Sequence, residues 1–143
     1  MSTSADSLEH LRQTLRQFTT DRDWSQFHTP KNLASALCVE AAELLEPFQW
    51  LPSGHLTELD QKTRLAVRHE MADVLCYLVL LADTLEIDLI TASNEKIALN
   101  AEKYPADKVR GDARKYTEYK YAEGSDTDCK AADCNVADHK TAE

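Results

Sequence analysis

The 143-residue chain is long enough for one domain with a single core, and its 43% apolar and 29% charged residues are ordinary for a globular protein. Its net charge of −9 argues against a general nucleic-acid binder, because no basic stripe is available to release counterions from phosphates. No apolar run approaches the roughly 18 residues of a membrane span, and the first residues lack the basic and apolar regions of a signal peptide, so a cytoplasmic protein with no membrane contact is expected.

The first half of the chain predicts two helices. The first covers residues 6–21 and places Leu8, Leu11, Leu15 and Phe18 on one face. The second covers residues 30–46. Thr29 can cap its start, and Pro30 suits a first helical position because its missing N–H has no helical partner there.

The second half predicts two more helices and then a change in composition. The third and longest helix runs from residue 57 or 58 to 86, with an apolar face of Val67, Met71, Val74, Leu78, Leu81 and Leu85. The fourth covers residues 89–103 and is stopped by Pro105. Residues 117–143 hold no Leu, Ile, Phe or Met and carry seven acids against three lysines, which predicts a disordered acidic tail. We therefore expect an all-α four-helix bundle over residues 1–116.

The four cysteines form two unlike pairs. Cys38 and Cys76 lie within helical patterns and are expected to be buried thiols. Cys129 and Cys134 lie in the polar tail, at a spacing that matches no metal-binding pattern. A reduced protein is the expectation.

Carboxylates occur on the apolar sides of two helices. Glu40 falls within the apolar stripe of the second helix and Glu43 lies on its border, while Glu70, Asp73 and Tyr77 cluster on one side of the third. Four acids converging in a poorly solvated interior must be protonated, paired or gathered around a cation, and oxygen ligands suit Mg²⁺ or Mn²⁺. The alternative is a set of ordinary exposed helix acids. A di-iron bundle would need Glu-x-x-His motifs, which neither helix contains.

A polar stripe follows on the fourth helix. Lys96, Asn100 and Lys103 recur at i, i+4 and i+7 and offer two cations and an amide. A solvated charged face would look the same. Beside a carboxylate–metal cluster, such a stripe would clamp a polyphosphate.

Aromatic residues flank the second helix. Trp24, Phe27 and His28 precede it and Trp50 follows it. Tryptophans near helix ends are usually packing, but flat rings in this number, together with Tyr77, could also sandwich a nucleobase.

These segments together resemble a known family. "FHTPKNLASALCVEAAELLEPFQW", "RHEMADVLCYLVLLA" and "KIALNAEKYP", with "RKYTE" beyond them, are similar to the MazG-like all-α nucleoside triphosphate pyrophosphohydrolases, and most similar to their dCTP pyrophosphatase branch. The paired signature, E-x-x-E on one helix and E-x-x-D on the next, is Glu40/Glu43 and Glu70/Asp73. One position departs from the branch: dCTP-specific relatives can carry a histidine where this chain has Leu15.

The resemblance implies a Mg²⁺-dependent cleavage, with Mn²⁺ as a substitute, between the α and β phosphates of a nucleoside triphosphate. It assigns metal binding and catalysis to Glu40, Glu43, Glu70 and Asp73. Contacts to the phosphates, sugar and base fall to Lys96, Asn100, Lys103, Tyr104, Tyr77, His28, Trp24 and Trp50. Relatives assemble as homodimers or homotetramers. The alternatives are a related hydrolase of dUTP or phosphoribosyl-ATP, and a non-catalytic helical nucleotide-binding or interaction module.

Overall fold

A computed structural model describes residues 8–111 of the chain. Its helices are α1 (Leu8–Thr20), α2 (Pro30–Glu43), α3 (Gln61–Thr84), α4 (Leu89–Lys103) and the short α5 (Ala106–Val109). Short 3-10 turns lie at Ser25–Phe27, Glu46–Phe48 and Leu56–Glu58, and the described residues contain no strand. The all-α class and the four long helices are confirmed. The predicted tail, 117–143, lies outside the described residues, as do Cys129 and Cys134.

Helix α2 begins as predicted and ends earlier. The Thr29 hydroxyl accepts a hydrogen bond from the Asn32 N–H, and Pro30 is the first helical residue. The helix stops at Glu43 rather than at residue 46, since Pro47 has no N–H to continue the i→i−4 bonding. Glu46 instead opens a 3-10 turn that leads to Trp50.

Helix α3 is shorter than predicted at both ends. The Asp60 carboxylate accepts a 2.7 Å hydrogen bond from the Thr63 N–H and caps the start of the helix, so the helix begins at Gln61. At the other end Glu86 has a left-handed backbone, φ 56°, and the Ile87 N–H donates to the Ala82 carbonyl. This 6→1 bond is a Schellman-type ending with glutamate at the position that usually holds glycine.

The contacts of the backbone divide the chain between Ala92 and Ser93. In the first unit α2 packs along α3, and α1 packs on α3 to a smaller extent. Leu33 of α2 and Val79 and Ala82 of α3 are the buried apolar residues of the described chain, and Thr19 is its buried polar residue. The second unit contains most of α4, followed by α5.

Part of the predicted apolar face of α3 is not buried. Met71 is 58% exposed, Leu85 46% and Leu78 37%, so the expectation of burial is wrong for these three. Leu78 is adjacent to the buried Val79, so α1 and α2 cover one side of α3 and leave these three side chains on another. The expectation for Cys38 is also wrong, because this thiol is exposed, whereas Cys76 is half-buried.

An ion cluster ties α1 to the end of α3. Arg16 donates from Nη2 and Arg12 from Nη1 to Oδ1 of Asp83, at 2.7 and 2.8 Å. The Asp83 side chain is only 14% exposed, and hydrogen bonds from Arg16 and then Arg12 hold the pKa of its carboxyl below the ordinary value. None of the described helices is both long and apolar enough to span a bilayer.

Candidate active site

The predicted acidic residues occupy the two most closely packed helices. Glu40 and Glu43 lie in the last turns of α2, and Glu70 and Asp73 lie near the middle of α3. One carboxylate oxygen from each of Glu40, Glu43 and Glu70 lies within 4.8 Å of the others. The packing of α2 on α3 therefore brings together three of the four predicted acids, from both halves of the paired motif.

These carboxylates differ in solvent exposure. Glu40 and Glu70 are half-buried, while Glu43 and Asp73 are exposed. Burial raises the pKa of Glu40, and the negative charges of Glu43, Asp73 and Glu70 raise it further. Asp73 thus acts on Glu40 through its field, although its oxygens fall outside the group of three. Partial burial and the repulsion of its neighbours both disfavour the charged state of Glu40 when no cation is present.

The donor set fits a hard divalent cation. Carboxylate oxygens are the ligands that Mg²⁺ and Mn²⁺ prefer. Glu40, Glu43 and Glu70 each offer one carboxylate oxygen within 4.8 Å of the other two, so these three residues would hold such an ion. The arginines of α1 are bound elsewhere, since Arg12 and Arg16 pair with Glu9 and Asp83.

Trp24 and His28 lie before the start of α2, at the opposite end of that helix from the acids. The Trp24 ring meets His28 at a centroid distance of 6.4 Å and Phe18 at 5.8 Å, both edge to face. Pro30 and Glu40 are ten residues apart, a rise of about 15 Å along the helix. The aromatic cluster thus precedes α2, and the acids of α2 lie in its last turns.

Arg22 joins this aromatic cluster, and the sequence reasoning missed it. Its guanidinium carbon lies 3.6 Å from the Phe18 ring centroid and 6.0 Å from that of Trp24. The signal was present in the sequence: Phe18 and Arg22 are four residues apart at the end of a helix, the spacing at which side chains meet.

The other predicted aromatic residues are less well placed. Tyr77 is half-buried, one helical turn beyond Asp73 on α3. Trp50 is 86% exposed and forms no ring contact with any described residue. The structure therefore brings Trp24 and His28 together and leaves Trp50 apart from them.

The predicted phosphate ligands belong to the second unit. Lys96, Asn100 and Lys103 lie along α4 at i, i+4 and i+7 and are exposed, and the Tyr104 N–H donates to the Asn100 carbonyl at 2.9 Å. They form the polar stripe that the spacing predicts.

A cavity of about 580 Å³ opens elsewhere in the first unit, between α1 and the end of α3. Arg12, Arg16 and Asp83 line it together with apolar side chains, and none of the four acids does. Because both arginines are already paired with Asp83, the described residues that line this cavity offer no free cation to a phosphate. We therefore place the candidate site at the carboxylates.

Known proteins are similar to this chain in sequence and in structure. The MazG-like family model matches residues 36–119, more than half of the chain and all four acids. The dCTP pyrophosphatase 1 of Homo sapiens is 42% identical over 114 residues, 78% of this chain and 67% of the relative, and that of Bos taurus is 40% identical over 117 residues, 80% and 69%. The crystal structure of a pyrophosphatase from Archaeoglobus fulgidus aligns with a TM-score of 0.66 at 42% identity, covering 73% of this chain and 98% of that one. The chain therefore belongs to the MazG-like family of all-α nucleoside triphosphate pyrophosphohydrolases.

Proposed function

We propose that this enzyme hydrolyses dCTP and other deoxynucleoside triphosphates to the monophosphate and pyrophosphate, with Mg²⁺ as its cofactor, in control or cleansing of the nucleotide pool. The observation that carries the proposal is the convergence of Glu40, Glu43 and Glu70 from two helices onto one small volume. The relatives named dCTP pyrophosphatase support the choice of substrate.

In this proposal Glu40, Glu43, Glu70 and Asp73 hold the divalent metal. When bound there, the ion neutralises charge that develops on the phosphate oxygens in the transition state. A carboxylate oxygen not engaged in binding orients the attacking water and accepts its proton. The role of proton acceptor is assigned to these four carboxylates as a group.

The remaining predicted residues recognise the ends of the nucleotide. Lys96 and Lys103 supply positive charge and Asn100 an amide for the phosphates, with Tyr104 beside them. Trp24 and His28 offer ring faces to the base, and Tyr77, one turn from Asp73, lies on the side of α3 proposed for the sugar.

We further propose that the enzyme acts as a homo-oligomer. Met71, Leu75 and Leu78 follow one another at i, i+4 and i+7 along α3 and are between 37% and 58% exposed. A contiguous exposed apolar stripe of this kind marks a protein contact in soluble proteins. A second copy of the chain would cover it, and a dimer or tetramer by light scattering would support the assignment.

A substrate panel tests the proposed activity. Each dNTP, CTP and phosphoribosyl-ATP is incubated with the full chain in Mg²⁺, in Mn²⁺ and in EDTA, and pyrophosphate and orthophosphate are measured separately. We expect release of pyrophosphate without orthophosphate, activity in Mg²⁺ or Mn²⁺ but not in EDTA, and the highest rate with one of the dNTPs. Release of orthophosphate would place the cleavage at the γ phosphate and refute the proposal.

Two variants separate the enzyme from a non-catalytic binding module. Asp73→Asn should abolish turnover and keep the helical circular dichroism, because it removes one charge from an exposed position. Glu95→Gln removes the same charge from an exposed position on α4 and should leave the rate unchanged. Nucleotide binding by wild type without any turnover would favour the binding module.

A further inference from the structure

Aromatic and cationic side chains contact one another at the connection between α1 and α2. The connection carries Phe18 at the end of α1, then Arg22, Trp24 and His28 before α2. The Phe18 and Trp24 planes cross at 77° and those of Trp24 and His28 at 60°. Trp24 remains 44% exposed, so its ring is contacted on some sides and accessible on others.

Arg22 is the residue that connects this cluster to the helix. Its Nη1 donates a 3.0 Å hydrogen bond to the Phe18 carbonyl, at the C-terminal end of α1. The guanidinium carbon Cζ of Arg22 lies 3.6 Å from the centre of the Phe18 ring, a close cation–π contact, and 6.0 Å from the centre of the Trp24 ring. A single side chain thus contacts the helix backbone and the Phe18 ring, and lies at the outer limit of cation–π range from the Trp24 ring.

The backbone at Trp24 is fixed independently. Asp23 has a left-handed conformation, φ 53°, which reverses the chain after α1. Gln26 Nε2 donates to both the Asp23 carbonyl and its carboxylate at 2.9 Å, and the Trp24 N–H donates to the Thr19 carbonyl at 3.0 Å. A non-glycine residue in the left-handed backbone region costs conformational energy, and this conformation persists only where surrounding contacts fix it. The Trp24 backbone is therefore set without Arg22, which leaves Arg22 to act on the ring.

We propose that Arg22 is a positioning residue that holds the Trp24 indole ready to stack on the nucleobase of the substrate. This inference rests on the proposed function, in which Trp24 meets the base. Preorganisation lowers the entropy lost when a ligand immobilises a side chain. Because stacking does not depend on the hydrogen-bonding edge of a base, the effect of Arg22 extends over all the dNTPs that the enzyme hydrolyses.

The effect of Arg22 should appear in binding and not in the chemical step. Removal of an exposed cation–π contact weakens substrate binding by about two- to fivefold. Arg22→Ala should therefore raise KM by that factor for each dNTP and change kcat by less than about twofold. Arg22→Lys keeps the charge and loses the planar group, and should fall between the wild type and alanine.

The mobility and exposure of the Trp24 ring can be measured by fluorescence. The chain has two tryptophans, so Trp50→Phe leaves Trp24 as the single tryptophan, whose emission is excited selectively over that of tyrosine. In this background Arg22→Ala, Arg22→Lys and Lys62→Ala are compared by fluorescence anisotropy, acrylamide quenching and nucleotide titration, and the same variants are assayed for KM and kcat with Trp50 intact. Lys62→Ala, in the first turn of α3, removes the same charge outside the aromatic cluster.

We expect Arg22→Ala to lower the anisotropy of Trp24, increase its quenching and raise KM, while Lys62→Ala changes none of these. Unchanged anisotropy overturns the proposal, and so does a loosened ring with unchanged KM or a loss confined to kcat. If the wild type hydrolyses no nucleotide, the proposed function fails separately. The nucleotide titration of Trp24 then decides the role of Arg22: weaker binding in Arg22→Ala supports it and equal binding refutes it.

Discussion

Glu40→Gln should stabilise the protein when metal is absent and inactivate it when metal is present. The carboxylate oxygens of Glu40, Glu43 and Glu70 lie within 4.8 Å of one another. At that distance two negative charges repel by about 3.5 kcal/mol at an effective dielectric constant of 20 and by about 0.9 kcal/mol in water. Because Glu43 is exposed and Glu40 and Glu70 are half-buried, we take an intermediate value and expect a gain of about 2 kcal/mol.

Thermal unfolding measures this gain. The assay follows helical circular dichroism at about pH 8, above the ordinary pKa of glutamate, in EDTA and then in millimolar MgCl₂. Each kcal/mol corresponds to a shift of about 4–8 °C in Tm for a domain of this size. In EDTA the variant should therefore melt several degrees above the wild type. In MgCl₂ the wild type should gain stability by ligand linkage, and the variant should gain less.

Glu95→Gln is the matched control, since it removes the same charge from an exposed helical position and should change the unfolding free energy by less than about 0.5 kcal/mol. If Glu40→Gln lowers Tm in EDTA, or if Mg²⁺ leaves the wild-type Tm unchanged, the carboxylates do not form a shared cation site and the reasoning is refuted.

Three further predictions concern other parts of the chain. Asp83→Asn should lower the unfolding free energy by about 2 kcal/mol above about pH 5, as measured by denaturant titration. Because the folded pKa of Asp83 is depressed, this difference from wild type should shrink as pH falls below about 4, and a difference independent of pH would contradict the reasoning. Trp50→Ala should raise KM for dNTPs if the exposed ring meets substrate, whereas an unchanged KM would assign it to another role. Removal of residues 122–143, which supply no large aliphatic core residue apart from one valine, should preserve turnover, and loss of activity would show that the segment contributes to the site.

Capping residues and prolines made most helix ends predictable, but the predicted start of α3 was wrong. Thr29 and Pro30 mark the start of α2, and Pro105 follows the end of α4, which has the predicted bounds. The start of α3 was predicted too early, at residue 57 or 58, because a 3-10 turn occupies Leu56–Glu58 and Asp60 then caps the helix.

The sequence predicts which sides of α2 and α3 carry the acids of the candidate site, but it does not predict the distances between them. The three-residue spacing of Glu40 and Glu43 places both on one side of α2 in any helix. Their distance from Glu70 depends on how α2 packs along α3, which periodicity does not contain. The exposure of Met71 and Leu78 was not predictable either, because the pattern of a buried face is the same whether its cover comes from the same chain or from another.

The early end of α2 has an electrostatic consequence. A helix carries a partial negative charge of about half a unit at its C-terminus, where its last carbonyls point outward. Because α2 stops at Glu43 with no basic residue in its last turn, that negative pole coincides with the side chains of Glu40 and Glu43. A bare triphosphate would be repelled from this end of the helix. In the proposed function, the divalent cation held by Glu40, Glu43 and Glu70 would therefore offset the negative pole of the helix as well as the carboxylates.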